Sequence, residues 1–228
     1  MSPRRARILA GQSDDLALRD HLILVTERLL AEHGLEELTT RRIAREAGVA
    51  DGVLYNHFEN KDALLLEALV ARMSTLMRIF RDACPRAGTA TVEANLQRLA
   101  TAMLELQRAV LPLLVGLVGR RPLLERFLAA VHSAAIGGPD AVLHAVHDYL
   151  AAEQRLGRLS GESEAHIVGV LLFAITQLQA LVTHFRSTEN DSSDAAEEEL
   201  VPVVRFLAGA LENANASGAT HDDEGASV

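Results

Sequence analysis

A chain of 228 residues with 49% apolar side chains can bury a sizeable core, and its single cysteine, Cys84, excludes an intrachain disulfide framework and suits a reducing compartment. The net charge of −9 speaks against a polyanionic partner only until it is located: residues 187–228 hold ten acids against Arg205 alone, and residues 1–186 are neutral. Aromatics make up only 4%, β-branched runs are scarce, and Ala, Leu, Arg and Glu dominate, which predicts an all-α fold.

In chain order, residues 1–15 are polar, carry three arginines and lack periodicity, which predicts a flexible arm. Leu22, Leu24, Val25, Leu29 and Leu30 then recur at helical spacing within 16–33, and Gly34 sits where a C-terminal cap belongs. Thr39 is placed to N-cap the next helix, RRIAREA, and Gly48 to stop it after two turns. Gly48-Val49-Ala50 leads into a third short helix through Phe58, and Asn60 opens a long amphipathic helix to about Phe80. Short helix, tight Gly-containing turn and short helix form a helix-turn-helix pattern. Further helical stretches are predicted at about 90–108, 109–118, 121–135, 139–156, 163–186 and 195–213, separated by breakers that include Pro85, Pro112, Gly119, Pro122 and Gly137-Gly138-Pro139. Residues 214–228 are small and acidic, and disorder is predicted there.

On a helical wheel of residues 51–58, Leu54 and Phe58 share the inner face while Gly52 and Asn56 point the opposite way. Tyr55 lies to one flank, and Val53 and His57 to the other. Such a helix can enter a DNA major groove: Gly52 permits close approach, Asn56 offers a donor and an acceptor to a base edge, and Tyr55 and His57 reach phosphates. In the preceding helix Ile43, Ala44 and Ala47 form the inner side, and Thr40, Arg41 and Arg45 lie at the entrance and outer side.

The stretch 34–64, GLEELTTRRIAREAGVADGVLYNHFENKDAL, resembles the DNA-binding region of the TetR family of bacterial transcriptional repressors. Gly34, Thr39, Ile43-Ala44, Ala47-Gly48-Val49, Gly52, Leu54-Tyr55, His57-Phe58, Lys61 and Leu64 carry the likeness, over about a quarter of the chain. The resemblance implies DNA contacts from Thr40, Arg41, Tyr55, His57 and Lys61, the last three on phosphate; Lys61 also suits that role by opening a helix. Together with the wheel, it makes Thr39, Thr40, Arg41, Arg45, Asp51, Gly52, Val53, Tyr55, Asn56, His57 and Lys61 the candidate DNA-binding residues. The chain departs from the family pattern in three places. Ala50 stands where Ser or Thr is common, leaving Asp51 to cap the helix; Val53 replaces a threonine and offers only apolar contact; and Asp51 is repelled by phosphate unless it caps the helix or accepts from cytosine N4.

The family plan further implies a homodimeric, ligand-responsive repressor without catalytic activity or cofactor, bound to a palindromic operator and released by a small, largely apolar inducer. The domains are then a 1–15 arm, a 16–61 helix-turn-helix domain, a 62–213 regulatory and dimerisation domain, and a 214–228 tail. The 163–186 helix is apolar around most of its circumference and is expected to pair with the 195–213 helix in a four-helix dimer interface. Met77, Phe80, Met103, Leu104, Phe127, Val131 and Phe173 are candidates to line a pocket, with Gln107, His132, Thr176 and Gln177 as polar fixtures; an ordinary core accounts equally well for the apolar ones.

Two other functions compete: a regulator controlled by a protein partner or by no ligand, and, more remotely, a helical metalloenzyme using His144, His147 and Asp148. No second ligand cluster, nucleophile-base constellation or phosphate loop supports the enzyme, and no metal is expected. The longest apolar runs, near 109–119 and 167–182, read as too short or too interrupted to span a membrane, and no secretory signal opens the chain, so a cytoplasmic protein without a membrane partner is expected.

Overall fold

Helix formation follows the apolar periodicity almost throughout. The computed structural model describes residues 3–134, 136–159, 162–186 and 193–218, and among them there are helices and turns but no strand. The helices are α1 (Pro3–His33), α2 (Thr40–Ala47), α3 (Leu54–His57), α4 (Lys61–Ala83), α5 (Val92–Val118), α6 (Arg121–Ser133), α7 (Pro139–Arg155), α8 (Glu162–Arg186) and α9 (Ser193–Gly218), with a 3₁₀ turn at Asp51–Val53 leading into α3. The all-α architecture with an N-terminal helix-turn-helix agrees with the sequence reading.

Three boundaries differ from it. The first helix begins at Pro3, so it takes in most of the stretch read as an arm; proline is tolerated in a first turn, and Arg, Ala and Leu are good helix formers even without an amphipathic pattern. The stretches expected at 90–108 and 109–118 form one helix that continues through Pro112. Proline removes a single hydrogen bond there, while its ring is exposed and Leu106, Leu113 and Leu117 remain buried, which holds the helix together across the gap. At the C-terminus α9 continues to Gly218, and the rest of the expected tail lies outside the described residues.

The chain divides into two compact units. The first contains Met1–Thr75 and Pro112–Ile136, so it extends well beyond 16–61; the second contains Leu76–Leu111 and Gly137–Val228. Within the first, Leu22, Leu29 and Leu30 of α1 are buried together with Leu38, Ile43, Leu54, Leu64, Leu65 and Leu69. The α5 segment of this unit packs closely enough that a Cβ on Gly116 would lie 3.1 Å from Leu35 Cβ. Arg19 of α1 pairs with Glu67 of α4 at 2.5 Å, and its guanidinium stands 5.0 Å from the centre of the Phe58 ring, a cation–π contact over the underside of the helix-turn-helix.

The core of the second unit is formed by Met77, Phe80, Leu96, Met103, Val146, Leu172, Leu200 and Val204. Gly169 lets α8 approach α7, since a Cβ there would be 3.3 Å from Val146 Cγ1. Into this apolar setting the fold places Glu153, fully buried. Its carboxylate accepts from the Tyr149 hydroxyl at 2.8 Å, the Gly88 N–H at 3.2 Å and Asn95 Nδ2 at 3.5 Å, and pairs with Arg158 at 3.1 Å. Gly88 takes a left-handed φ of +79°, and a side chain there would also meet Leu156 at 2.9 Å, so the backbone donor depends on glycine. The network ties the connection between α4 and α5 to the end of α7, and nothing in the sequence pattern foretold it.

Val92–Val118 and His166–Arg186 are each long and apolar enough to cross a bilayer by length and composition, contrary to the expectation that those runs were too short or too interrupted. For Val92–Val118 the continuity of α5 through Pro112 explains the difference; by length and composition alone a core helix passes the same test.

Candidate nucleic-acid interface

The recognition surface is set by how α2 and α3 begin and end. Thr39 is extended (φ −116°, ψ 152°) and its Oγ1 accepts from the Arg42 N–H at 3.1 Å, which caps α2. Gly48 ends the helix in the left-handed region at φ 69°, where its N–H reaches Arg45 O at 3.2 Å and the Val49 N–H reaches Ala44 O at 3.0 Å. With Ile43 and Ala44 fully buried, the helix can turn only its other side outward. Thr40 is half-buried there, and the Arg41 and Arg45 side chains are 89% and 74% exposed. Arg42 instead turns back to Glu37 at 2.9 Å.

Residues 51–58 do not form the single α-helix expected from their spacing. Asp51–Val53 form a 3₁₀ turn, Leu54–His57 a single α turn, and Phe58 is already extended at φ −132°, ψ 133°. A 3₁₀ turn advances 120° per residue rather than 100°, so side-chain directions drift from the wheel. Leu54 and Phe58 remain buried, and Gly52, Tyr55 and Asn56 are exposed as expected, with Val53 half-buried. His57 is not turned outward: its side chain is only 5% exposed, and Nδ1 lies 3.4 Å from the Asp15 carboxylate of α1. It packs back against α1 and is not presented outward as the wheel implied. Asp51 does not cap α3 either, since no side chain caps the 3₁₀ turn; its carboxylate lies 3.4 Å from Arg41 Nε. At Gly52 nothing stands within 4 Å of where a Cβ would be, so the protein's own packing does not require glycine.

Lys61 opens α4, where Asn60 Oδ1 accepts from the Ala63 N–H at 2.9 Å as the cap. The Lys61 ammonium donates to the Leu38 carbonyl, which anchors it beside the start of α2. Burial and the nearby Arg120 lower its pKa, only partly countered by Asp62. Arg120 pairs with Asp62 at 3.8 Å. A phosphate at this helix N-terminus would relieve the repulsion between Lys61 and Arg120 while meeting free N–H groups. Thr40, Tyr55, Asn60 and Lys61 converge on one shallow crevice floored by Leu54, Phe58 and Leu64. Arg120 escaped sequence reasoning because it sits 59 positions from Lys61; the Arg120-Arg121 pair after Gly119 was the sole hint.

The candidate pocket residues are not gathered in the same way. Met77, Phe80, Met103 and Gln107 are buried in the second unit, and Phe173 and Gln177 are half-buried there. Phe127, buried, and His132, exposed, belong to the first unit. Gln107 Nε2 donates to the Phe173 carbonyl at 3.4 Å, and the Thr176 hydroxyl donates within its own helix to Leu172 O at 2.8 Å. A small open cleft in the second unit is lined by Leu76, Ile79, Phe80, Ala83, Ala102, Glu105 and Leu106, and shares only Phe80 with the candidates. His144, His147 and Asp148 are all exposed on α7, and among the described residues no group of three or more His, Cys, Asp or Glu is placed to hold a metal.

On α8, Val168, Leu172, Thr176 and Ala180 face the core, while Ile167, Val170, Leu171, Leu178, Leu181 and Phe185 form an exposed apolar stripe at helical spacing. Val201 and Phe206 of α9 are also exposed, Phe206 at 75%. The sequence expected α8 to be covered on two sides, and the second side is the open one.

Residues 22–68 match the family model described as "Bacterial regulatory proteins, tetR family". The HTH-type transcriptional repressor KstR2 of Rhodococcus jostii is 34% identical over 82 residues, covering 36% of this chain and 39% of that protein. The tetracycline repressor protein class C of Escherichia coli is 47% identical over 58 residues, 25% of this chain and 26% of that protein. The matched stretch thus spans well under half the length of these curated relatives. The fold extends further: a TetR transcription regulator from Haloarcula marismortui superposes with a TM-score of 0.61 over 86% of this chain and 98% of its own, at 20% identity, a likeness of fold alone.

Proposed function

Because the chain belongs to the TetR family of bacterial regulatory proteins, we propose that it is a cytoplasmic transcriptional regulator, most simply a repressor, that binds a palindromic operator as a homodimer and is released by a small, largely apolar inducer. The observation that carries the DNA-binding part is the convergence of Thr40, Tyr55, Asn60 and Lys61 on one crevice beside the outward arginines of α2. A phosphate lying over these groups would meet a hydroxyl, an ammonium and the N-terminus of α4, while Asn56 and Arg41, whose contact with Asp51 is made at Nε, can address base edges. Thr39, Arg45, Gly52 and Val53 complete the contacting surface. The exposed stripe on α8, continued by Phe206, supports the homodimer, because apolar area of this kind is stable in water when a second copy covers it.

Retention on random duplex DNA at low salt, lost as salt rises, tests the reading before any operator is known. Tyr55→Phe and Lys61→Ala are expected to weaken binding to all duplexes alike, since each removes a phosphate contact without base information, and Lys61→Ala should make the salt slope shallower by about one. A change in preferred sequence with either variant would contradict this docking.

The inducer reading is supported by family membership and by the continuity of α4, which begins at Lys61 and also carries Met77 and Phe80. An inducer that prefers the DNA-released arrangement by about 2–3 kcal/mol would lower operator affinity some tens- to a hundredfold, and the operator would weaken the inducer by the same factor. Equal inducer affinity with and without operator would exclude the coupling.

A further inference from the structure

Each arginine of α2 has an acidic neighbour, but their positions differ. Arg42 turns to Glu37 and Arg45 lies 3.8 Å from Glu46, both on residues that precede or belong to α2. Arg41 alone among these three is paired across the turn, with Asp51, the residue that opens the segment leading into α3. The contact is made at Nε, 3.4 Å from Asp51 Oδ2, and the two side chains are 89% and 60% exposed. An ion pair that open to water contributes little to folding.

We propose that Asp51 is a positioning residue for base recognition, holding Arg41 by its Nε so that the two terminal nitrogens of the guanidinium face a guanine. The inference rests on the DNA-binding reading above. An unheld arginine loses considerable rotamer freedom when it is ordered on a ligand, and a carboxylate beside its Nε biases the side chain toward one arrangement before the ligand arrives. Engagement at Nε leaves the Nη1–Nη2 edge unobstructed, and that edge matches the O6 and N7 acceptors of guanine in the major groove. The pair is also electrically neutral. Arg41 therefore adds little to non-specific attraction, and Asp51 repels phosphates wherever no guanine rewards the approach. Asp51 trades affinity for any duplex against discrimination between duplexes.

The test uses the full chain and site selection from a random duplex pool, followed by titration of the selected site and a scrambled duplex over a range of salt. Asp51→Ala and Asp51→Asn are expected to lose a guanine preference at one position of each half-site, lowering the ratio of specific to scrambled affinity by roughly fivefold to a hundredfold. Affinity for the scrambled duplex should rise, with a salt slope steeper by about one. In an Arg41→Ala background Asp51→Ala should cost no further discrimination, because its effect passes through Arg41. An unchanged site preference in both Asp51 variants overturns the proposal. So does an undiminished loss in the Arg41→Ala background, which would mean that Asp51 contacts a base itself. Failure of the unaltered protein to bind any duplex would instead overturn the DNA-binding reading on which the proposal stands.

Discussion

Leu171→Arg and Leu178→Arg are expected to leave a folded monomer whose affinity for a two-half-site operator falls about a hundred- to ten-thousandfold, the loss that follows when two linked heads become separate ones. Both side chains are about half exposed, at 47% and 53%, so neither substitution buries a charge in the isolated chain, and its helicity should be unchanged. In a dimer closed over this stripe the same arginines would be buried among apolar side chains, where an unpaired charge is costly. Sedimentation at several concentrations reads the oligomeric state, and titration of a half-site duplex separates loss of pairing from damage to the reading head. A variant that remains dimeric with full operator affinity would show that this stripe is not the interface.

Glu153→Ala is expected to destabilise the protein by about 3–5 kcal/mol, the usual result of removing one partner from a buried ionic network. Arg158 would lose its carboxylate, and the Tyr149 hydroxyl, the Gly88 N–H and Asn95 would lose their common acceptor. Glu153→Gln keeps an acceptor without the charge and should be milder. Urea unfolding at constant m gives the difference, and a loss below about 1 kcal/mol would show the network to be dispensable. The network also imposes a pH dependence. Burial and the hydrogen bond to Glu153 raise the Tyr149 pKa well above the ordinary tyrosine value. A raised folded-state pKa means that the stabilisation is complete below the unfolded value of about 10 and is lost as pH rises beyond it. Tyr149→Phe should flatten that alkaline decline.

Several features of the reading head were legible because they are local. Thr39 and Gly48 bracket α2 through contacts no more than five residues apart, and backbone chemistry dictates both: a hydroxyl for an orphan N–H, and a glycine for a left-handed end. The buried positions of Ile43, Ala44, Leu54 and Phe58 follow from apolar spacing in the same way. The likeness carried by 34–64 needed nothing more than this stretch, since its turn chemistry and reading residues are contiguous.

Pairings between distant residues were not legible. The orientation of His57 turned on a 3₁₀ turn that shifts the helical phase and on Asp15 some forty positions earlier. Arg120 beside Lys61, and Glu153 gathering Gly88, Asn95 and Arg158, join residues that no local periodicity relates. The persistence of α5 through Pro112 likewise reflects burial of Leu106, Leu113 and Leu117, which outweighs a propensity that by itself ends the helix. By itself, then, the sequence determined the all-helical class, the caps of α2 and the burial of Leu54 and Phe58, because short-range sterics, hydrogen bonding and apolar spacing decide them. The tertiary structure alone decided which charges meet, which face of α8 is left open and where the chain divides, because those depend on packing between segments far apart in the chain.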